Sequence, residues 1–422
     1  MRHDHSREKF AIDAGRLVHL RLQRAAVLRR TGHSGDALRD TRRSLRIAEA
    51  GRDQASRADC LKELCNAYEA LGDYDQMRST AEQCLAHHQR TGDPGGQSDC
   101  LNKLGIVCDS QGDYPAALDR YTRSLRLREA AGDRRGQAQC RNNIAFVHYA
   151  LGDYPATLRE LAAALAIQEE IGDRHGQAYS LNNIGAIHDS RGEYPQALDR
   201  YRRSLHLRQQ IGDRRGQSYS LNNIGFILRA FGDLPQALDH FLAALRIQRE
   251  IGDRHGEAYC RNNIARVRTD LGDWDGAAEQ LARAEELAQA IGDKEIQRRV
   301  ALTSGQVALE RGDHDRGQHH AAAASRLAEE LQSKAGQADA LLLRARLEAD
   351  RDWASADRDF LASIAIFEGL QQPFDRAVAS YHYGRALAAR GERQQGTFQL
   401  RQAREAFERC GAQWWLEKLQ GG

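Results

Sequence analysis

The chain has little of what chemical, membrane or nucleic-acid work requires. Lysine and arginine number 61 against 59 aspartates and glutamates, a net charge of +2. The strong basic excess of a general nucleic-acid or anionic-membrane binder is missing. No apolar run approaches the ~18 residues that a membrane helix needs. The opening stretch Met1-Arg2-His3-Asp4-His5-Ser6-Arg7-Glu8 has no apolar signal core. A cytoplasmic location with no nucleic-acid and no membrane partner is therefore expected. Only six prolines occur, none interrupting a predicted helix, and no alternating strand pattern appears. There is no phosphate-binding loop, nucleophile elbow, HExxH helix or CxxC pair. That predicts a non-enzymatic protein with no catalytic residues, no cofactor and no metal. Cys84 with His87 and His88, and His314 with His319 and His320, have helical ligand spacing. Each set reads as an exposed face without a second matched pair, so neither is taken as a metal site. The eight cysteines do not form a disulfide framework. Cys60, Cys100, Cys140 and Cys260 share a position that Ser180 and Ser220 fill elsewhere. Such a site needs a small side chain and fits buried free thiols.

What is present is a repeat of 40 residues. Gly-Asp marks recur at Gly92-Asp93, Gly132-Asp133, Gly212-Asp213, Gly252-Asp253 and Gly292-Asp293. A second mark falls midway at Gly112-Asp113, Gly152-Asp153, Gly192-Glu193, Gly232-Asp233, Gly272-Asp273 and Gly312-Asp313. A fixed period of this length means stacked units, none able to bury its apolar face alone. Each block reads as two helices. Ala178, Leu181, Ile184, Gly185 and His188 share one helical face. Gly192 stops that helix, and an acid follows to cap the next. Pro115, Pro155, Pro195 and Pro235 sit in the second helix's first turn, where a missing N–H does no harm. The second stripe runs Ala197, Leu198, Tyr201, Leu205, Leu207.

These residues resemble the tetratricopeptide repeat (TPR). Leu181, Ile184-Gly185 and His188 stand at its helix A positions, and Ala197, Tyr201 and Ser204 at its helix B positions. The 40-residue unit is similar to the Pins/LGN class and to bacterial arrays, and the L-N-N element to kinesin light chains. His148 and His188 fall at a packing position of this pattern. The resemblance implies an all-α fold, a right-handed α-solenoid (superhelix) of about ten antiparallel helix hairpins plus a C-terminal capping helix. Degenerate units are expected over 1–95, the regular array over 96–291, further degenerate units over 292–411, and a capping helix and tail over 412–422. Trp414 and Trp415 are read as cap packing.

One feature runs against helix propensity. Asn142-Asn143, Asn182-Asn183, Asn222-Asn223 and Asn262-Asn263 fall in mid-helix, where each Asn costs about 0.6 kcal/mol relative to Ala. They form a stripe off the packing face. In TPR proteins that stripe lines the concave surface, and the resemblance makes Asn143, Asn183, Asn223 and Asn263 candidate clamps of a bound peptide backbone. An amide both donates and accepts, which suits an extended chain. Asn182, Asn222, Lys103, Tyr179, Tyr219, Tyr259, Phe146, Phe226, Arg229 and Arg266 complete the expected peptide-binding set. The alternative is that the pairs bond between adjacent repeats and fix their stacking, the first Asn of each pair being better placed for that. The loop residues Arg134-Arg135, Arg174-His175, Arg214-Arg215 and Arg254-His255 form a basic ridge, read as solvated with acidic neighbours. The expected function is a scaffold or adaptor binding a protein or peptide. The alternatives are a self-assembling architectural protein, hence a homo-oligomer, and a peptide-sensing regulatory subunit of a bacterial signalling or transcription system.

Overall fold

The computed structural model describes residues 2–420, with side chains for 14–29 and 31–420. Among the described residues the chain forms 21 helices and no strand, from α1 (Arg2–Arg30) to α21 (Gln413–Gln420). One block shows why. Helix α7 (Arg134–Ala150) is preceded by Gly132, whose φ of 66° lies in the left-handed region that glycine enters without a Cβ penalty. Its reversed backbone lets the Asp133 N–H donate to the Arg128 carbonyl at 2.9 Å, closing the preceding helix. Asp133 then caps α7 by accepting from the Gly136 N–H at 2.9 Å. The same sequence of events closes α7 at Gly152 and opens α8 (Tyr154–Glu170) at Asp153. Within a hairpin, a large residue sits over a small one. A Cβ on Gly185 would lie 2.8 Å from the Tyr201 ring, and one on Gly225 would lie 2.9 Å from Phe241. This contact lets the two helices interlock.

The chain divides into two compact units, Met1–Asp173 and Arg174–Gly422. The first holds four hairpins and the second six, followed by α21. In the first unit the apolar seams run through Leu61, Leu64, Tyr68, Met77 and Val107, then through Tyr121, Leu125, Ile144 and Val147. All eight cysteines are free and buried. Burial pushes the thiols of Cys60 and Cys260 up to about 12, so both stay protonated and inert.

The second unit closes on itself. Its last hairpin, α19 (Pro373–Ala389) with α20 (Arg393–Cys410), packs on α10 (Tyr194–Gln210) and α11 (Arg214–Phe231) in one apolar cluster. Phe374 meets Tyr194 edge-on at 5.3 Å and Trp415 at 6.2 Å. Helix α21 continues onto α11, where Trp414 lies over Gly232. A Cβ there would lie 2.1 Å from the Trp414 Cβ, and the φ of 88° also selects glycine. The terminal tryptophans pack as expected: Trp415 stacks on Phe407 of the last hairpin at 5.2 Å, and Trp414 reaches across to the second hairpin of the same unit at Gly232. The reason is the curvature of the array, which brings an apolar ridge of α10 and α11 within reach. Among the described residues no helix is long and apolar enough to cross a membrane.

Candidate functional site

Closure of the second unit leaves a cavity of about 170 Å³ in its interior. It is lined from α11, α13 (Arg254–Asp270), α15 (Lys294–Glu310), α17 (Lys334–Glu348), α19 and α21, with Phe367 of α18 (Trp353–Gly369). Apart from α18, these are the first helices of successive hairpins plus the closing helix, so the lining is mostly the inner face of the curve.

The cavity is rich in charge. Arg229 donates to the Asp270 carboxylate at 2.6 Å, with both side chains largely buried. Arg298 donates to Glu295 at 2.8 Å and to Asp339 at 3.5 Å. Arg266 differs. Its neighbours Arg229, Asp339, Asp270 and Arg299 act through space, and among the described residues none hydrogen-bonds to its guanidinium. Burial and then the Arg229 charge lower its pKa to about 10. It remains a cation at neutral pH, held in a site that disfavours the charge. Burial, and after it the Asp339 charge, pushes the Asp375 carboxyl up to about 7. Outside the lining, Asp189, which accepts from the Tyr201 hydroxyl at 3.4 Å, is pushed up to about 7 by burial and by Asp375. His382 is driven well below its ordinary range by burial and Arg346, so it is neutral. Lys418 stands 3.5 Å from the centre of the Trp414 ring, a cation–π contact at the mouth made by α21.

Of the residues expected to bind a peptide, Arg229 and Arg266 line this cavity, together with Asn262. Two of the other clamp candidates are linked to an amide of the preceding repeat. Asn143 donates to Asn102 at 2.8 Å, and Asn223 to Asn182 at 3.3 Å. Asn222 and Asn263 are buried and not open to a groove. Asn222 is covered by the next block's first helix, where it meets the Cys260 Sγ at 3.0 Å. Asn262 accepts from the Thr303 hydroxyl at 3.0 Å. Asn143, Asn182, Asn183 and Asn223 remain half-buried. Phe146, Tyr179 and Tyr219 are exposed on the same stripe, at 59%, 53% and 44%. Tyr259 lies under the Arg299 guanidinium at 5.4 Å, and Phe226 packs against the core of the second unit. Lys103 is paired with Glu69 at 2.6 Å. Much of the basic ridge is paired too. Arg134 donates to Glu170 and Arg214 to Glu250, while His255 faces Asp293 at 3.0 Å. Cys84 and His87, expected on an exposed face, are buried because α5 (Pro94–Ser110) packs across α4 (Tyr74–Thr91).

Several lining residues escaped the sequence reading although the repeat frame points to them. The series Ile106, Phe146, Ala186, Phe226, Arg266 continues at Gln306 and Arg346, and both line the cavity. The tyrosine series continues at Arg299 and Asp339, and the clamp series at Thr303 and Leu343. Asp375, His382 and Lys418 carry no such signal, since they arrive only by closure.

A profile of the tetratricopeptide repeat matches residues 56–130, 136–210 and 217–290, together more than half of the chain. The chain belongs to the TPR family. No curated protein matches the sequence. Solved structures similar to this TPR chain include a Rap protein complexed with Competence and Sporulation Factor. It is 17% identical, the match covers 84% of this chain and 99% of that one, and the TM-score is 0.59. Aspartyl phosphate phosphatase F from Bacillus subtilis is 15% identical over 85% of this chain and 95% of its own, with a TM-score of 0.57. The Rap conjugation gene regulator of the plasmid pLS20, in complex with the Phr* peptide, is 14% identical over 85% and 96%, with a TM-score of 0.54. At these identities the likeness is one of fold.

Proposed function

We propose that this TPR protein is a non-enzymatic, cytoplasmic, peptide-responsive adaptor. It takes an extended peptide or protein segment along the inner face of its second unit, with a carboxylate of that segment received by Arg266. The observation that carries this reading is the half-buried guanidinium of Arg266, which no described side chain hydrogen-bonds, in a cavity lined from seven helices. A cation held without a partner costs stability, and an incoming carboxylate removes that cost. The half-buried amides of Asn183 and Asn223 supply backbone contacts, and the exposed rings of Tyr179 and Tyr219 supply side-chain contacts. In the first unit Asn143 and Phe146 offer the same two chemistries. Support comes also from the similar fold of the plasmid regulator solved with the Phr* peptide.

The cavity holds a side chain or a chain terminus more readily than a whole peptide. Binding therefore involves movement of α21 or α19, which is how a peptide would change the outer surface seen by a second partner. The test is a panel of short synthetic peptides, each made with a free and an amidated C-terminus. Binding is read by fluorescence polarisation to the wild-type chain and to an Arg266→Met variant. Loss of a charge-assisted contact of ~1.5–3 kcal/mol predicts a 10- to 100-fold weaker affinity. Binding that is indifferent to Arg266 and to Asn223→Ala would refute the assignment.

A further inference from the structure

At several steps from one hairpin to the next, the repeat frame aligns three side chains. Two come from the second helix of a hairpin, four residues apart, and one comes from the first helix of the next hairpin. In the 40-residue frame these triplets read Ser44/Ala48/Cys60, Cys84/His88/Cys100, Ser124/Arg128/Cys140, Ser204/Arg208/Ser220 and Ala244/Gln248/Cys260. The contact between the first and third positions recurs in two other copies. Ser124 Oγ lies 3.3 Å from Cys140 Sγ, and Ser220 donates to Ser204 at 3.3 Å. Only the Cys84/His88/Cys100 copy fills all three places with metal-ligand chemistry.

We propose that Cys84, His88 and Cys100 form a zinc site in the first unit, tying α4 to α5. Their ligand atoms, two thiol sulfurs and an imidazole nitrogen, lie within 4.8 Å of one another. Zinc bound at ~2.3 Å to sulfur and ~2.0 Å to nitrogen spaces its ligands roughly 3.3–3.8 Å apart, so side-chain rotation alone completes the site. Cys84 and Cys100 are buried. Gly96 makes room for the ring, as Gly136, Gly216 and Gly256 do for Arg128, Arg208 and Gln248; a Cβ on Gly96 would lie 2.1 Å from His88 Nδ1. Asp93 holds that ring through a 2.9 Å contact to Nδ1, the carboxylate–histidine pairing common around bound metals. With Asp93 on Nδ1, His88 ligates through Nε2, and a surface recess shared with Asp99 and Lys103 reaches all three residues, so water can occupy the fourth position. Two thiolates and an imidazole in tetrahedral reach select zinc over magnesium or calcium, which prefer oxygen ligands.

The experiment is a titration of the full chain, freed of metal and kept reduced, first with cobalt(II) and then with zinc. The expected result is one cobalt per chain, with thiolate-to-metal absorption and the visible bands of a tetrahedral ion, both erased by one equivalent of zinc. Cys84→Ser and Cys100→Ser each abolish that spectrum, and His88→Ala weakens binding at least tenfold. Both serine variants fold, because Ser124 and Ser204 stand at the position of Cys84, and Ser180 and Ser220 at that of Cys100. Circular dichroism checks this. Cys60→Ser, at the same frame position one block earlier, leaves the titration unchanged. Absence of a tetrahedral spectrum, or its survival in Cys84→Ser, would overturn the proposal.

Discussion

Replacing Arg266 with methionine is expected to make the ligand-free protein more stable while removing its ability to bind. The side chain lies in the interior cavity of the second unit, and no group among the described residues hydrogen-bonds to it. Its pKa of about 10 stands below the ordinary value of ~12.5. At about 1.36 kcal/mol per pKa unit, the folded state disfavours this charge by ~3 kcal/mol. The sign is that of a depressed base. The charged form is less favourable in the folded than in the unfolded chain, so the cost is fully present at all pH values below about 10. Methionine keeps a similar length without the charge, and local relaxation already absorbs part of the cost. A net gain of ~1–3 kcal/mol follows, in the range known for replacing buried ions with apolar residues. For a unit of this size, 1 kcal/mol moves the midpoint by about 2–4 °C. Calorimetry or urea unfolding near pH 7 should therefore place the Arg266→Met midpoint roughly 5 °C above wild type. A midpoint equal to or below wild type would show that the guanidinium is satisfied within the fold, and the recognition role assigned to it would fall with it.

Stability should also depend on pH through Asp189 and Asp375, both raised to about 7. A raised carboxyl holds a proton that the unfolded chain has released, so stability falls as pH rises from about 4 to about 7 and levels off above. In urea unfolding followed over that range, Asp375→Asn should flatten the slope, and an unchanged slope would remove this residue from the account. Gln332 and Gln371 occupy turn positions that hold glycine in other blocks, with φ of 51° and 54°. Gln332→Gly and Gln371→Gly should each raise the unfolding free energy by ~1 kcal/mol, and a loss of stability would contradict the strain argument. Gly232→Ala should displace Trp414 and loosen α21, shifting tryptophan emission and exposing the closing helix to proteolysis. Emission and cleavage identical to wild type would mean that α21 is not seated on α11.

The hairpins themselves were legible in the sequence because every signal for them is local. A glycine that adopts φ of 66° at Gly132, an aspartate three residues before the N–H it caps, and a glycine facing Tyr201 all act within one block. Each repeats every 40 residues, so errors do not accumulate. The asparagine pairs were legible as an anomaly, and their environments were not. Whether an amide meets a ligand or a neighbouring amide depends on the packing of adjacent blocks, which joins Asn143 to Asn102 and Asn223 to Asn182. The same is true of Cys84, whose helix shows only a cysteine and a histidine at ligand spacing until α5 supplies Cys100.

What the sequence alone determined is therefore the helical hairpin, its caps, its interlocking small and large residues and its number of copies. What only the tertiary structure decided is the interior of the second unit. Small rotations between blocks add up to a curve that brings Trp414 onto Gly232 and sets Asp375 beside Arg266 and Arg229. Those rotations are sums over many side-chain contacts, and no single residue or spacing encodes them.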